Sequence, residues 1–402
     1  MPEPDLEPDE IVGRAASMRE LLRDDQEATE ARTFYSETTH EAFTDAGFYR
    51  ILQPRRFGGY EFGIETFYRV VMELSRGCPS TGWCFCLGAA HVLQVSAFYS
   101  EEAQREFFGS DGHFVAASRD LPGGTATPAE GGYVIEGTWN YCSGAPYSTY
   151  FVMRARLADG IGDAAEDAKL VLVAIPREQW RMLDDWHGIL GLRGSGSHSI
   201  AVDNALVPGH FVVEDDPFDL DDWEPATASS VHANPIYNTR HFNFFHGELA
   251  SVMVGTAEAA VDEFERIIRT SRTADPLPPG IRADAVDYQR PFGLGMAMAG
   301  AARQTVLGVA REHTDRCRLS AEEGIPYLGK DDLLLESIHG QAGQLAFEAI
   351  ELLARMSGSS NAVRGRRMER YLRDALVYRS HQQGASVEMM ATKLARAQLA
   401  QG

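Results

Sequence analysis

A serine and a glycine close an aromatic strand pattern in the segment TWNYCSGA, residues 138–145. The Ser143 hydroxyl is small and neutral, and it can both donate and accept a hydrogen bond. Gly144 has no Cβ atom, so the backbone at this point can come close to another group. The pair could therefore hold a ligand by hydrogen bonding, although Ser-Gly is also common in ordinary β-turns.

Two histidines are candidates for acid–base chemistry. His91 follows the apolar stretch Trp83–Ala90, and His381 lies seven residues beyond Asp374, two turns along a predicted helix and on nearly the same face. An imidazole gains or loses its proton near neutral pH, which suits a general base. The competing interpretations are a satisfied core histidine for His91 and a helix-surface residue for His381.

A third candidate site is the glycine-rich loop LRGSGS, residues 192–197. It offers backbone N–H groups, the hydroxyls of Ser195 and Ser197 and the guanidinium of Arg193, which together suit a phosphate. The loop is not a dinucleotide-binding fingerprint, because no β-α-β pattern surrounds it.

No metal site is predicted. His241 and His246 are five residues apart, a spacing that does not place them on one helical face, and HGEL is not HExxH. The cysteines lack the paired CxxC spacing of a zinc site and are expected to be reduced and mostly buried; they are Cys78, Cys84, Cys86, Cys142 and Cys317.

The composition excludes several classes of partner. With 37 Lys and Arg against 58 Asp and Glu, the net charge of -21 repels nucleic acid and anionic lipid. The basic cluster at residues 364–367 is too short for a nucleic-acid surface and is expected to cap or flank a helix. The acidic start MPEPDLEPDE and the lack of an apolar run of about 18 residues predict a cytoplasmic protein without membrane contact.

The elements that must position these residues follow the order helix, sheet, helix. Helical patterns run to about Phe108, and period-two strand patterns with an exposed loop at residues 158–168 fill roughly 114–214. Helical patterns return near Tyr237, followed by long segments near residues 283–318, 331–356 and 368–399. We predict an α+β, mostly α, fold with an N-terminal helical domain (1–113), a central antiparallel β-barrel (114–215) and a C-terminal four-helix bundle (216–402).

The long helices carry more apolar surface than they can cover for one another, which predicts a homo-oligomer, expected to be a tetramer built bundle against bundle. Candidates for the second apolar face are Met296, Met298, Leu345 and Ile350.

Several stretches, in this order and spacing, resemble the acyl-CoA dehydrogenase fold and, within it, the group D two-component flavin-dependent monooxygenases, such as the oxygenase components that act on 4-hydroxyphenylacetate. The resemblance covers almost the whole chain. The stretches are PRRFGG (54–59), STGW (80–83), GGYVIEGTWNYCSG (131–144), GLRGSGS (191–197), VP (207–208) and RYLRD (370–374) before His381.

The resemblance implies that a separate NAD(P)H-dependent flavin reductase supplies reduced flavin, FADH2 or FMNH2. Reaction with O2 then gives a flavin C4a-hydroperoxide that hydroxylates a small aromatic or heteroaromatic substrate of phenol or indole type. It places Ser143 against flavin N5 and His91 beside the substrate as a proton acceptor, with His381 helping proton transfer or positioning. The residues that it places against the flavin are Trp83, Ser118, Cys142, Ser143, Gly144, Arg193, Ser195 and Ser197.

Other functions remain open on the sequence. The same hydroperoxide chemistry could hydroxylate the nitrogen of an amino sugar. An acyl-CoA dehydrogenase or oxidase would need a glutamate base, for which Glu348, Glu351 and Glu369 are conceivable, and a catalytically silent scaffold subunit would need none. The residues Tyr237, Phe242, Phe244, Phe245 and Phe292 could line an aromatic pocket or pack the junction of sheet and helices.

Overall fold

A computed structural model describes residues 3, 5–109, 112–158, 164–214, 231–237, 242–274, 278–381 and 387–399. The predicted boundary at 215–216, His241 and part of the loop at 158–168 lie outside these residues.

The first region is helical, as predicted. Ser36 and Ser100 cap two of its helices by accepting a hydrogen bond from the backbone N–H three residues on, and Pro79 starts a third. The helices are α1 (Pro8–Ser17), α2 (Arg19–Asp24), α3 (Gln26–Arg32), α4 (Glu37–Asp45), α5 (Gly63–Gly77), α6 (Pro79–Ala89), α7 (His91–Phe98) and α8 (Glu101–Phe108).

Helices α6 and α7 form the centre of this region. Within the described part of the chain, Pro79–Phe98 is the one helical stretch long and apolar enough to cross a membrane, and 94% of it is buried inside the protein. The expectation that no such run exists was therefore wrong. Its burial identifies the stretch as a core helix pair.

The second region is a single sheet of β-branched and aromatic segments. The strands are β1 (Ala116–Arg119), β2 (Gly124–Ala129), β3 (Gly132–Trp139), β4 (Tyr150–Leu157), β5 (Leu170–Pro176), β6 (Arg181–Met182), β7 (Ile200–Pro208) and β8 (Val212–Val213). Their order is β6-β7-β3-β2-β4-β5-β8, with β1 also paired to β4.

The sheet is mixed, which corrects the prediction of an antiparallel barrel. Strand β4 pairs in parallel with β1 and, at its own end, with the beginning of β2, while it pairs antiparallel with β5. Period-two patterns show that a segment is a strand but not the direction of its neighbour. In the described residues β6 and β8 stand at opposite ends of the strand order, so closure into a barrel is not confirmed.

In its described residues, the third region contains three long helices and two shorter ones: α9 (Phe242–Thr270), α10 (Val286–Glu323), α11 (Gly329–Ser357), α12 (Arg367–Ser380) and α13 (Val387–Leu399). Helices α9, α10 and α11 pack on one another, and α12 packs on α9 and α11. The fourth rod predicted at 368–399 is thus two helices. Arg366 is the N-cap residue of α12, so the basic cluster flanks a helix as predicted.

The apolar residues expected to face another subunit have different environments. Met296 is 51% exposed, and Met298 and Leu345 are partly buried against the core. Ile350 is fully buried within its own chain, so its assignment to an oligomer face was wrong.

Candidate active site

Two neighbouring cavities lie where the sheet meets the helices. The larger cavity, of about 440 Å³, is lined mainly by α6, by the loop that follows β6 and by the end of α12. Its walls include Trp83, Trp186, Leu192 and Val377. The smaller, of about 190 Å³, is lined by α7, β1, α9, α11 and α13. Both share Arg119, Tyr141, Ser143 and His381 as wall residues. A ligand in one cavity would therefore meet a ligand in the other at these side chains.

Ser143 stands in this shared wall at the centre of a buried chain of hydroxyls. Its Oγ accepts a hydrogen bond from Trp83 Nε1 at 3.1 Å and lies 2.6 Å from Ser197 Oγ. Ser197 Oγ lies 2.7 Å from Ser195 Oγ. Strand β3 ends at Trp139, and the turn that follows the strand brings the Ser143 hydroxyl against α6. Three of the four predicted serines, Ser143, Ser195 and Ser197, are thus brought together at one site.

His91 begins α7 and lines the smaller cavity with 5% of its surface exposed. Its Nδ1 lies 2.8 Å from the Ala116 carbonyl oxygen, which can only accept, so Nδ1 carries the proton and Nε2 is the basic nitrogen. Burial lowers the pKa of His91 to about 4, against hydrogen bonds to backbone that raise it. His91 is therefore neutral at physiological pH.

His381 follows the last residue of α12 and lines both cavities. Its ring lies edge-on to the Trp83 indole, with centroids 5.2 Å apart. Burial and the nearby Arg119 guanidinium lower the pKa of His381 to about 4. Because α12 ends at Ser380, His381 does not continue the helical face of Asp374.

Asp374 instead fixes the glycine-rich loop. Its Oδ1 accepts a hydrogen bond from the Leu192 backbone N–H at 2.6 Å, and its carboxyl is buried. Burial raises the pKa of Asp374 to about 7, although the Arg373 guanidinium opposes that shift. The loop anchored in this way carries Ser195 and Ser197 into the wall of the larger cavity.

Four residues that were predicted to contact flavin do not line the larger cavity. Cys142 is fully buried, with its thiol on Trp139 O at 3.2 Å, and burial raises its pKa to about 12. Arg193 Nε donates to Ile189 O at 2.9 Å, and Arg193 lines a separate surface depression, not the two cavities. Ser118 lines the smaller cavity and not the larger one.

Gly144 is the fourth. Its φ is +82°, and a Cβ atom there would lie 2.8 Å from Gly88 N in α6. The close approach that needs a glycine is therefore to a helix backbone. Cys142, Gly144 and Arg193 support the site from outside its walls.

Sequence reasoning missed several wall residues. Phe242 and Phe245 line the smaller cavity as expected, whereas Phe244 packs on Tyr68 and Phe292 on Phe264. The unexpected members of the walls are Arg119, Tyr141, Trp186, His246, Glu248, Glu336 and Lys393. Two acidic residues at inward helical positions, Glu248 and Glu336, were the available signal, because buried carboxyls are rare without a partner or function.

His246 and Glu336 form a pair in the smaller cavity. His246 Nδ1 donates to Phe242 O at 3.2 Å, and its Nε2 lies 3.1 Å from Glu336 Oε1. Burial raises the pKa of Glu336 to about 8 and lowers that of His246 to about 4. A neutral acid that donates to a neutral imidazole fits both shifts, so the pair carries no net charge.

The conceivable dehydrogenase bases are not at this site. Glu348 and Glu351 are exposed on α11, and Glu369 accepts from Arg373 Nε at 2.9 Å. None of the three lines either cavity. Among the described residues, no group of three His, Cys, Asp or Glu side chains could hold a metal ion.

Comparison with known proteins agrees with this geometry. Models of the acyl-CoA dehydrogenase family match twice, the N-terminal domain over residues 14–110 and the C-terminal domain over residues 248–385. The chain is 27% identical over 379 residues to the flavin-dependent monooxygenase oxygenase subunit HsaA of Rhodococcus jostii, covering 92% of this chain and 93% of that protein. It is 27% identical over 346 residues to indole-3-acetate monooxygenase of Pseudomonas putida, with coverages of 85% and 82%.

A solved structure, XiaF from Streptomyces sp. in complex with FADH2 and glycerol, matches with a TM-score of 0.85 at 22% identity, covering 98% of this chain and 96% of that one. This likeness shows the fold. The two family models together cover more than half of the chain and show that it belongs to the acyl-CoA dehydrogenase family, and its sequence relatives identify it as one of the flavin-dependent monooxygenase oxygenase components of that family.

Proposed function

We propose that this oxygenase component binds reduced flavin, FADH2 or FMNH2, in the larger cavity and a small phenol- or indole-type aromatic molecule in the smaller one. It then adds one oxygen atom of O2 to the aromatic ring. The observation that carries the proposal is the shared wall, in which Ser143 and His381 border both cavities.

The larger cavity fits a flavin ring in its chemistry. Trp83 and Leu192 give it apolar walls, and the chain of Ser143, Ser197 and Ser195 gives buried hydrogen-bonding groups along one side. These five residues would hold the ring. When bound, reduced flavin supplies the electrons that activate O2.

In the smaller cavity, His91 accepts a proton from the substrate. Its Nε2 is basic because Nδ1–H is committed to Ala116 O, and burial keeps the imidazole unprotonated. Removing a phenol or indole proton raises the electron density of the ring, which favours attack by an electrophilic oxygen. The Phe245 ring, 5.5 Å from that of His91, gives this wall an apolar surface.

Ser143 holds a hydrogen bond at the boundary between the two ligands. The Trp83 N–H fixes its oxygen, and the hydroxyl chain behind it lets Ser143 donate or accept without moving. His381, neutral and packed on Trp83, would assist proton transfer or positioning in the same shared wall. Exclusion of bulk water by the bound ligands would limit wasteful release of hydrogen peroxide.

We further propose the wider organisation that the resemblance implies. Residues 1–113 would be a helical domain, 114–215 a β domain that contacts flavin, and 216–402 a four-helix bundle that assembles the protein as a homotetramer. A separate NAD(P)H-dependent flavin reductase would supply the reduced flavin in the cytoplasm.

Reconstitution tests the proposal. The purified protein is incubated with a generic flavin reductase, NAD(P)H and a panel of phenols, indoles, amino sugars and an acyl-CoA thioester, and oxygen uptake and products are measured by electrode and mass spectrometry. We expect a product 16 mass units heavier than an aromatic substrate, dependent on both proteins. An unsaturated thioester as the only product, or oxygen uptake no greater than that of the reductase alone, would refute it.

A further inference from the structure

One carboxyl group in the wall of the smaller cavity has no hydrogen-bond partner among the described residues. Glu248, on α9, is 0% exposed, and neither of its side-chain oxygens has a hydrogen-bond partner among the residues that the structure describes. Burial raises the pKa of Glu248 well above its usual value, and the nearby Asp120 carboxylate adds to this shift. Glu248 is therefore a neutral acid in the wall, with an unused O–H donor and an unused carbonyl acceptor.

Such a group is destabilising unless something binds it. A buried polar group without a hydrogen bond loses its contacts with water and gains none in the protein, and this side chain has two such oxygens. The same helix offers a comparison, because Glu263, only 6% exposed, binds Arg266 through both oxygens at 2.6 and 2.9 Å. On this helix, Glu263 is paired away from the cavity, whereas Glu248 in the cavity wall has no hydrogen-bond partner among the described residues.

Two other polar groups of this wall are already engaged. Glu336 is bound to His246, and His91 Nδ1 is bound to backbone, which leaves its Nε2 for one proton of the substrate. Glu248 is a further hydrogen-bonding group in this wall, and its two oxygens have no partner among the described residues. A substrate that satisfied both His91 and Glu248 would need two polar groups on the ring.

We propose that Glu248 is a substrate-recognition residue that binds a second hydrogen-bond donor, an N–H or O–H group, on the aromatic substrate. This inference rests on the proposed function, because it assumes that the smaller cavity is the substrate site. The substrate class is then narrower than a simple phenol or indole: it comprises dihydroxylated, amino- or amide-substituted aromatic rings. A methyl ether or N-methyl group at the second position leaves the Glu248 carbonyl oxygen without a donor.

Matched ligands test the inference without turnover. Resorcinol and 3-methoxyphenol share one hydroxyl and differ only in the donor at the second position, and their dissociation constants are measured by calorimetry on the protein without flavin or reductase. We expect the wild type to bind resorcinol about tenfold more tightly, the ratio for one buried hydrogen bond whose loss leaves a partner unsatisfied. In Glu248→Leu the two ligands should bind within about twofold of each other, while Glu248→Gln, which keeps an acceptor, should retain most of the preference.

The matched control is Glu263→Leu, on the same helix and outside the cavity, which should leave the ligand ratio unchanged. Thermal melting of each variant checks that it is folded, and Glu248→Leu is expected to melt at or above the wild-type temperature because it removes an unpaired carboxyl. An unchanged ratio in Glu248→Leu, or a wild type that binds both ligands equally or neither, would overturn the inference. If the ratio changes as expected but no reductase-dependent product forms, the proposed activity fails and the recognition role stands.

Discussion

Replacing Ser143 with alanine should uncouple oxygen consumption from product formation. The substitution removes a hydroxyl that accepts from Trp83 Nε1 at 3.1 Å and is bonded to Ser197 at 2.6 Å. It leaves the cavity shape almost unchanged, since only one oxygen atom is lost. A change in the ratio of hydrogen peroxide to product should therefore result from the lost hydrogen bond and not from repacking of the cavity wall.

The size of the effect follows from the value of one hydrogen bond. A net contribution of about 0.5–1.5 kcal/mol, at 1.36 kcal/mol for each factor of ten, corresponds to a shift of about 2- to 13-fold in the partition between product and hydrogen peroxide. The assay measures both products in one reaction, peroxide by a coupled peroxidase and hydroxylated product by chromatography, with flavin reductase and NAD(P)H in excess.

The control is Ser380→Ala. Ser380 also lines the larger cavity, but its hydroxyl donates to Leu376 O of its own helix at 2.8 Å. We expect its ratio of peroxide to product to stay at the wild-type value. The reasoning is refuted if Ser143→Ala leaves that ratio unchanged, or if Ser380→Ala raises it equally.

Three further predictions concern the surroundings of the site. Because burial lowers the pKa of His91 to about 4, protonation of its imidazole should lower kcat/KM only through about pH 4 and should contribute no change from about pH 5.5 to 8. A fall centred near pH 6.5 that His91→Gln abolishes would contradict this. Gly144→Ala should lower the free energy of unfolding by more than Gly131→Ala does. Gly131 shares a positive φ, but no atom lies within 4 Å of the Cβ added there. The difference between the two variants in denaturant titrations, expected to be about 1–3 kcal/mol, measures the clash with α6. Asp374→Ala should weaken flavin binding about tenfold, as measured by flavin fluorescence, because it leaves the Leu192 backbone N–H of the glycine-rich loop without its acceptor. Asp374→Asn keeps an acceptor at this position and should bind flavin nearly as tightly as the wild type does.

The sequence by itself determined the local elements and the character of the chemistry. The change from helical to period-two patterns located the sheet, and the glycine-rich loop is readable from a few adjacent residues. Ser143 and His91 were identifiable for the same reason, since each stands at the end of a distinctive stretch. Their resemblance to a known pattern then indicated flavin-dependent oxygenation, which the comparisons support.

Only the tertiary structure decided which of these residues share a cavity. Whether β4 pairs in parallel with β1, and whether a side chain such as Arg193 faces a cavity or a neighbouring loop, depend on contacts between segments far apart in the chain. Glu248 shows this most clearly, because a glutamate in a helix is ordinary until packing removes its water and leaves its carboxyl without a partner. Patterns along the chain encode backbone conformation, whereas desolvation is a property of the packed whole.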